Sequence, residues 1–135
     1  MTVAVAHQVT SASNQIALEV AAREAAQRGV DLAVLHVVEA LDLDVEEAYR
    51  QGLAEEVEKA LAVAEAPGLS WQLHLGVGED QVASKVLELA AAAGASILVI
   101  GARRRSPVGK FLLGSITQTL ILEAEVPVLV VKPAP

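Results

Sequence analysis

The chain has 135 residues, 53% of them hydrophobic and 20% charged, and ten basic against seventeen acidic residues leave a net charge of -7. That length suits one compact domain over residues 1–135, and so much apolar side chain excludes a disordered polymer. The negative balance argues against broad nucleic-acid or anionic-membrane binding, an aromatic content of 2% leaves almost no base-stacking platform, and the lack of cysteine removes disulfides, thiolate metal sites and a thiol nucleophile.

The opening MTVAVAHQVTSASNQ has no basic leader, and His7 and Gln8 break its apolar run, so it does not read as a signal peptide. No apolar run reaches the roughly 18 residues that span a bilayer. The expected location is therefore the cytoplasm. TVAVA (residues 2–6) is β-branched and apolar and predicts a strand, and the turn and cap residues HQVTSAS lead into a helical pattern over residues 13–28, closed by Gly29. DLAVLHVV (residues 31–38) is a second, near-continuous apolar strand. Beyond the acidic link EALDLD, Val45, Tyr49, Leu53, Val57, Ala60 and Ala64 fall on one face of a second helix, which Pro67 and Gly68 are expected to end.

SWQLHLG (residues 70–76) alternates like a third strand. Asp80 is the expected cap of a third helix carrying Val82, Val86, Leu89 and Ala93, with Gly94 closing it. SILVIG (residues 96–101) is the fourth strand, residues 115–124 the fourth helix and PVLVV (residues 127–131) the fifth strand. Solid apolar strands alternating with helices predict an α/β fold: an open, doubly wound, five-stranded parallel sheet with helices on both faces.

Ligands of such sheets sit beyond the carboxyl ends of the strands, where the winding direction reverses. Of the loops there, GARRRSPVGKFLLGS stands out. It leaves 13 residues between Gly101 and Ser115, against about 2 to 6 in an ordinary strand-to-helix connection. It also holds Arg103, Arg104, Arg105 and Lys110 in a region with no acid between Glu88 and Glu123, whereas nine acids face Arg50 and Lys59 from Glu39 to Glu65.

Gly109 and Lys110 do not make a P-loop, because that motif needs glycine at Arg104 and a hydroxyl at Phe111. GVGEDQ at residues 76–81 has Gln81 where a dinucleotide fingerprint has its third glycine, and it reads as a tight turn. Two readings stand for Ser115. It caps a helix with Gln118 as a capping box, or it opens a helix whose amides and dipole bind an anion. Likewise the arginines clamp a phosphate or are a solvated surface, and loop position, loop length and the following helix favour the clamp. His36 and His74 lie within strands as structural residues, while His7 lines the cleft or is a plain loop histidine. The three histidines make no metal set, and no G-x-S-x-G elbow is present.

The alternation of elements, together with Gly101, Arg104, Gly114 and Ser115 at the spacing of a glycine, two residues, a glycine, nine residues, a glycine and a serine, resembles the universal stress protein family. LHLGVGE and the closing ITQTLILEAEVPVLVVKP are similar to that family as well. The resemblance implies ATP or another adenine nucleotide between the ends of strands one and four, with Mg accompanying it, in a stress-response sensor or regulator. It implies nucleotide contacts at Ala6, His7, Val37, Gly101, Arg103, Arg104, Gly114, Ser115, Ile116 and Thr117, with Val37 offering backbone to adenine. It also implies a homodimer through the last strand, from Val126 to Val131. The chain departs from the family at Ala6, where ATP-binding members carry aspartate, and at Arg104, where they carry the second glycine. A nucleotide-independent dimeric interaction protein with a degraded site is the alternative. No clear catalytic set is present, so activity is limited to slow ATP hydrolysis with His7 as the one nameable base.

Overall fold

The structure is a computed structural model and describes residues 1–7, 14–38, 43–78, 81–102 and 113–132. The elements alternate as β1 (Thr2–Ala6), α1 (Asn14–Arg28), β2 (Asp31–Val38), α2 (Leu43–Val63), β3 (Trp71–Val77), α3 (Val82–Ala92), β4 (Ala95–Gly101), α4 (Ser115–Glu123) and β5 (Val128–Val131). All pairings are parallel, in one sheet of order β3-β2-β1-β4-β5. The expected doubly wound α/β fold is the one observed.

Side-chain alternation divides the core in two. On one face Val3, Val5, Leu32, Val34, Ile97 and Val99 of the sheet pack with Leu18 and Ala21 of α1 and with Leu53, Val57 and Leu61 of α2. On the other, Ala4, Ala33, Leu35, Leu98 and Ile100 pack with Val86 and Ala90 of α3 and Leu120 of α4. In α1 the residues turned inward are mostly alanines, Ala17, Ala21, Ala22 and Ala25, all buried. Their small side chains let the helix backbone approach the sheet closely.

Helix ends follow the expected glycines in two cases, Gly29 at φ 67° after α1 and Gly94 at φ 70° after α3. The second helix stops before Pro67 and Gly68. Glu65 takes the left-handed conformation at φ 58°, and Ala66 N–H donates to the Leu61 carbonyl at 2.8 Å. That bond, reaching five residues back, satisfies a carbonyl the helix end would otherwise leave free and holds a non-glycine residue left-handed. β4 begins one residue earlier than the pattern implies. Its pairing with β1 slips between Thr2 and Val3, and Ser96 Oγ donates to the Thr2 carbonyl at 3.3 Å.

Gly76 lies under α3, where a Cβ would come within 3.0 Å of Lys85 Cγ and 3.1 Å of Leu89 Cδ1. The turn glycine thus serves close packing of strand on helix. Asp80, the expected cap of α3, lies outside the described residues, and Gln81 at the cap position makes no side-chain cap bond.

Leu98 is fully buried in β4, whereas Leu122 on α4 is 82% exposed. Leu98→Ala is expected to lower the unfolding free energy by about 3 kcal/mol and Leu122→Ala by about 0.5 kcal/mol or less. Urea titration of the two variants against the parent checks both values.

Candidate functional site

The chain winds from β1 out to β2 and β3, returns across the sheet, and adds β4 and β5 on the far side of β1. Winding therefore reverses between β1 and β4, and ligands of such sheets sit at the carboxyl edge of that point. β1 reaches this edge at Ala6 and β4 at Gly101. Because β4 and β5 are parallel, α4 runs back between them, and its amino end at Gly114 and Ser115 lies at the same edge.

Of the expected site residues, Ala6, Val37 and Ile116 are half-buried and pack against one apolar cluster, that of Leu35, Leu98, Ile100 and Leu120. All three thus lie on the side of α3 and α4. Gly101, Gly114 and Thr117 are half-buried and Ser115 is exposed. Arg103 and Arg104 lie outside the described residues.

The capping-box reading of Ser115 does not hold. The cap position belongs to Gly114, extended at φ -66° and ψ 164°, and Ser115 is the first helical residue. Gln118 donates instead from Nε2 to the Leu113 carbonyl at 2.9 Å. An N-cap residue lends a side-chain oxygen to the amides of the first turn, and glycine has none to lend. The first turn of α4 thus carries no side-chain cap, and its amides and the hydroxyls of Ser115 and Thr117 are the donors this edge offers an anion.

His7 takes the opposite direction. Neighbours along an extended chain point to opposite faces, so where Ala6 faces α3 and α4, His7 faces α1 and α2. It is 4% exposed, its Nε2 donates to Glu56 Oε2 at 2.8 Å, and Nδ1 lies 2.6 Å from Tyr49 Oη. A carboxylate only accepts, so the hydrogen of the neutral ring is on Nε2, and Nδ1 accepts from the Tyr49 hydroxyl. His36, beside it on β2, donates from Nδ1 to the His7 carbonyl at 2.9 Å and stacks on the Tyr49 ring at 4.0 Å and 16°. Burial holds His36 below the ordinary imidazole value; the bond to the His7 carbonyl opposes this in part, and the nearby His7 ring adds to it. Burial, and then the Glu56 carboxylate, push the Tyr49 phenol upward, so it keeps its proton.

Sequence reading placed His7 at the mouth of β1 and His36 in a strand, but it did not connect Tyr49 and Glu56 to them. The available signal is spacing. Tyr49 and Glu56 are seven residues apart on α2, two turns, and so share a face with Leu53. Farther along α2, an open groove of about 840 Å³ is lined by Gly52, Glu55, Glu56, Glu58, Lys59 and Ala62. Three carboxylates against one lysine make it unsuited to phosphate. Among the described residues no cluster of three or more His, Asp or Glu side chains could hold a metal, and no helix is long and apolar enough to cross a membrane.

A family model described as "Universal stress protein family" matches residues 1–132. The chain belongs to the universal stress protein family. A curated relative, the "Universal stress protein" of Mycolicibacterium smegmatis (strain ATCC 700084 / mc(2)155), is 38% identical over 118 residues, 87% of either chain. Among solved structures, a universal stress protein from Archaeoglobus fulgidus superposes with a TM-score of 0.73 at 29% identity, covering 96% of this chain and 97% of that one. Another from the same organism, in complex with dAMP, gives 0.69 at 27% identity with 96% of each chain covered. Family membership thus agrees with the strand order and its reversal between β1 and β4.

The network around His7 also gives a pH dependence. His36 binds a proton less readily in the folded chain than at its ordinary value of 6.5. As pH falls through that value the unfolded chain takes up the proton first, so stability present at neutral pH is lost towards the lower, folded value. His36→Phe keeps a ring against Tyr49 but cannot titrate. Its unfolding free energy should lack this part of the decline as pH falls below the ordinary value of 6.5, measured by urea titration at each pH.

Proposed function

We propose that the chain, acting as a single domain, binds an adenine nucleotide such as ATP in the crevice between the ends of β1 and β4, and serves in the cytoplasm as a stress-response sensor or regulator. The observation that carries this reading is the first turn of α4. It begins at Gly114 with no side-chain cap, at the edge where the winding reverses. A related universal stress protein solved with dAMP supports the same choice of ligand.

Phosphates lie over Gly101 and the amides of Ser115, Ile116 and Thr117, with Arg103 and Arg104 as their cationic partners, and Mg would accompany the nucleotide. Adenine rests against Ala6, Val37 and Ile116, which share one apolar cluster, and takes backbone hydrogen bonds from Val37. Ala6 stands at the end of β1 where ATP-binding members of the family carry aspartate, so that carboxylate is lost from the base side. Its loss costs about 1.5 to 3 kcal/mol where nothing replaces it, so the phosphates dominate affinity. Binding rather than hydrolysis is the favoured activity. His7, the one base considered for it, is already engaged by Tyr49 and Glu56.

Calorimetry with ATP, AMP and adenosine tests the reading. Affinity should fall in that order, and equal affinity for adenosine and ATP would sink the phosphate-led version. If none of the three binds, the nucleotide-independent alternative replaces it.

The same chain presents β5 at the margin of the sheet, with Val128, Leu129 and Val130 half-buried and no strand beyond it among the described residues. Apolar edges of this kind are paired or covered in stable proteins. A homodimer through residues Val126 to Val131 follows. Sedimentation equilibrium at micromolar concentration should give the mass of two chains, and a single-chain mass would contradict it.

A further inference from the structure

The sheet has two margins, and the homodimer proposed above uses only that of β5. At the other margin lies β3, seven residues long against four in β5, which follows Pro127. WQLHLGV contains no charged residue and no proline, two devices that keep exposed strand edges from pairing. Its apolar side chains are incompletely covered. Val77 is 45% exposed, and Trp71, Leu73 and Leu75 are half-buried.

The hydrogen bonds to β2 fix which main-chain groups of β3 are spare. Leu32 N–H donates to the Ser70 carbonyl and Gly78 N–H to the Val38 carbonyl, each at 3.0 Å. Main-chain groups alternate in direction along a strand, so Gln72, His74 and Gly76 bond β2, and Trp71, Leu73, Leu75 and Val77 turn theirs outward. Among the described residues no strand lies beyond them. Trp71 and Leu73 pack on the side of α1 and α2, and alternation puts Leu75 and Val77 there too, whereas Gly76 lies under α3 with Gln72 and His74 on its side.

The order of the outward residues is its own complement. With a second copy laid antiparallel and His74 opposite His74, Trp71 faces Val77 and Leu73 faces Leu75, each a pair that exchanges both main-chain bonds. An aromatic ring opposite a β-branched side chain is a favourable cross-strand pair. Moving the axis to Leu73 or to Leu75 would leave Val77 or Trp71 past the end of the opposing strand. No charge within the strand is set against its own copy. On the α3 side the flanking charges are Lys85, whose stem lies against Gly76 and Gly78, and Glu88, which it bonds at 3.0 Å, so this rim is neutral in a chain of net charge -7.

We propose that β3 is a self-pairing edge: two copies join their sheets antiparallel through residues 71–77 about a two-fold axis at His74. A second copy answers both halves of the edge at once, with every outward group met. Because β5 lies at the opposite margin, the two contacts together carry assembly beyond two chains as concentration rises.

The chain has no cysteine, so one introduced thiol reports one contact. Residues opposite each other at a non-hydrogen-bonded position have Cα atoms about 4.5 Å apart, within disulfide range. Mild oxidation of His74→Cys should therefore give a two-chain band on a non-reducing gel, whereas Gln72→Cys, about 13 Å from its own copy in this register, should stay single. Val77→Lys places a charge at an exposed position whose main chain makes no bond to β2, and it should abolish the His74→Cys crosslink. In the cysteine-free chain, sedimentation velocity at high protein concentration should show species heavier than two chains, which Val77→Lys removes. No crosslink in His74→Cys, equal crosslinking in Gln72→Cys, or heavy species absent from the parent or unchanged by Val77→Lys would each overturn the proposal. A two-chain mass that persists without the His74→Cys crosslink would keep the β5 pair and remove this one.

Discussion

Strand β1 is hydrogen-bonded to a neighbour on each side and covered by helices on each face, and everything at the carboxyl edge depends on that enclosure. A strand buried on both faces admits apolar side chains only, which is why Val3, Ala4 and Val5 carry no polar atom. Polar chemistry starts where its ladder ends. There the alternation that sorts Val3 and Val5 from Ala4 also separates Ala6 from His7, one to each side of the sheet.

On the side of α2, burial of a polar ring is made tolerable by full pairing. His7 and His36 are both buried, and a buried imidazole without partners costs about 1 to 3 kcal/mol. Tyr49, Glu56 and the His7 carbonyl answer them, and among the described residues no buried side-chain nitrogen or oxygen lacks a partner. Apolar contacts of Leu53, Val57 and Leu61 press α2 on the sheet without fixing where it sits along the strands. Directional bonds from Tyr49 and Glu56 to His7 do fix it.

Much of this architecture was legible in the sequence. Val, Ile and Leu runs have no other stable use than a doubly covered strand, so all five strands, the four helices and the parallel sheet follow from periodicity and from Gly29 and Gly94. Less legible were features that depend on tertiary partners. Glu65 closes α2 in a conformation that glycine normally takes, because the bond from Ala66 to Leu61 outweighs local preference. Ser115 and Gln118 have the spacing of a capping box, yet extended Gly114 occupies the cap position, and no pattern distinguishes the two registers. The partnership of His7 with Tyr49 and Glu56 spans 42 and 49 residues, beyond any local rule. Nor does the loop bearing Arg103 and Arg104 fall among the described residues, so its contribution still rests on glycine spacing and charge.

Charge distribution connects the two sides. In a chain of net charge -7, the longest stretch without acids runs from Glu88 to Glu123, and its arginines follow β4 in the sequence. On the nucleotide reading, the ligand then meets two unlike surfaces: an apolar one of Ala6, Val37 and Ile116, and an electropositive one of helix amides and guanidinium groups. Apolar contact discriminates weakly between purines, because adding or removing a polar group on a ring changes little where no buried partner waits for it. Charge-assisted bonds to phosphate are stronger and depend on the number of phosphates presented. On that reading, alanine in place of the acid at the end of β1 shifts selectivity from the identity of the base towards the length of the phosphate chain.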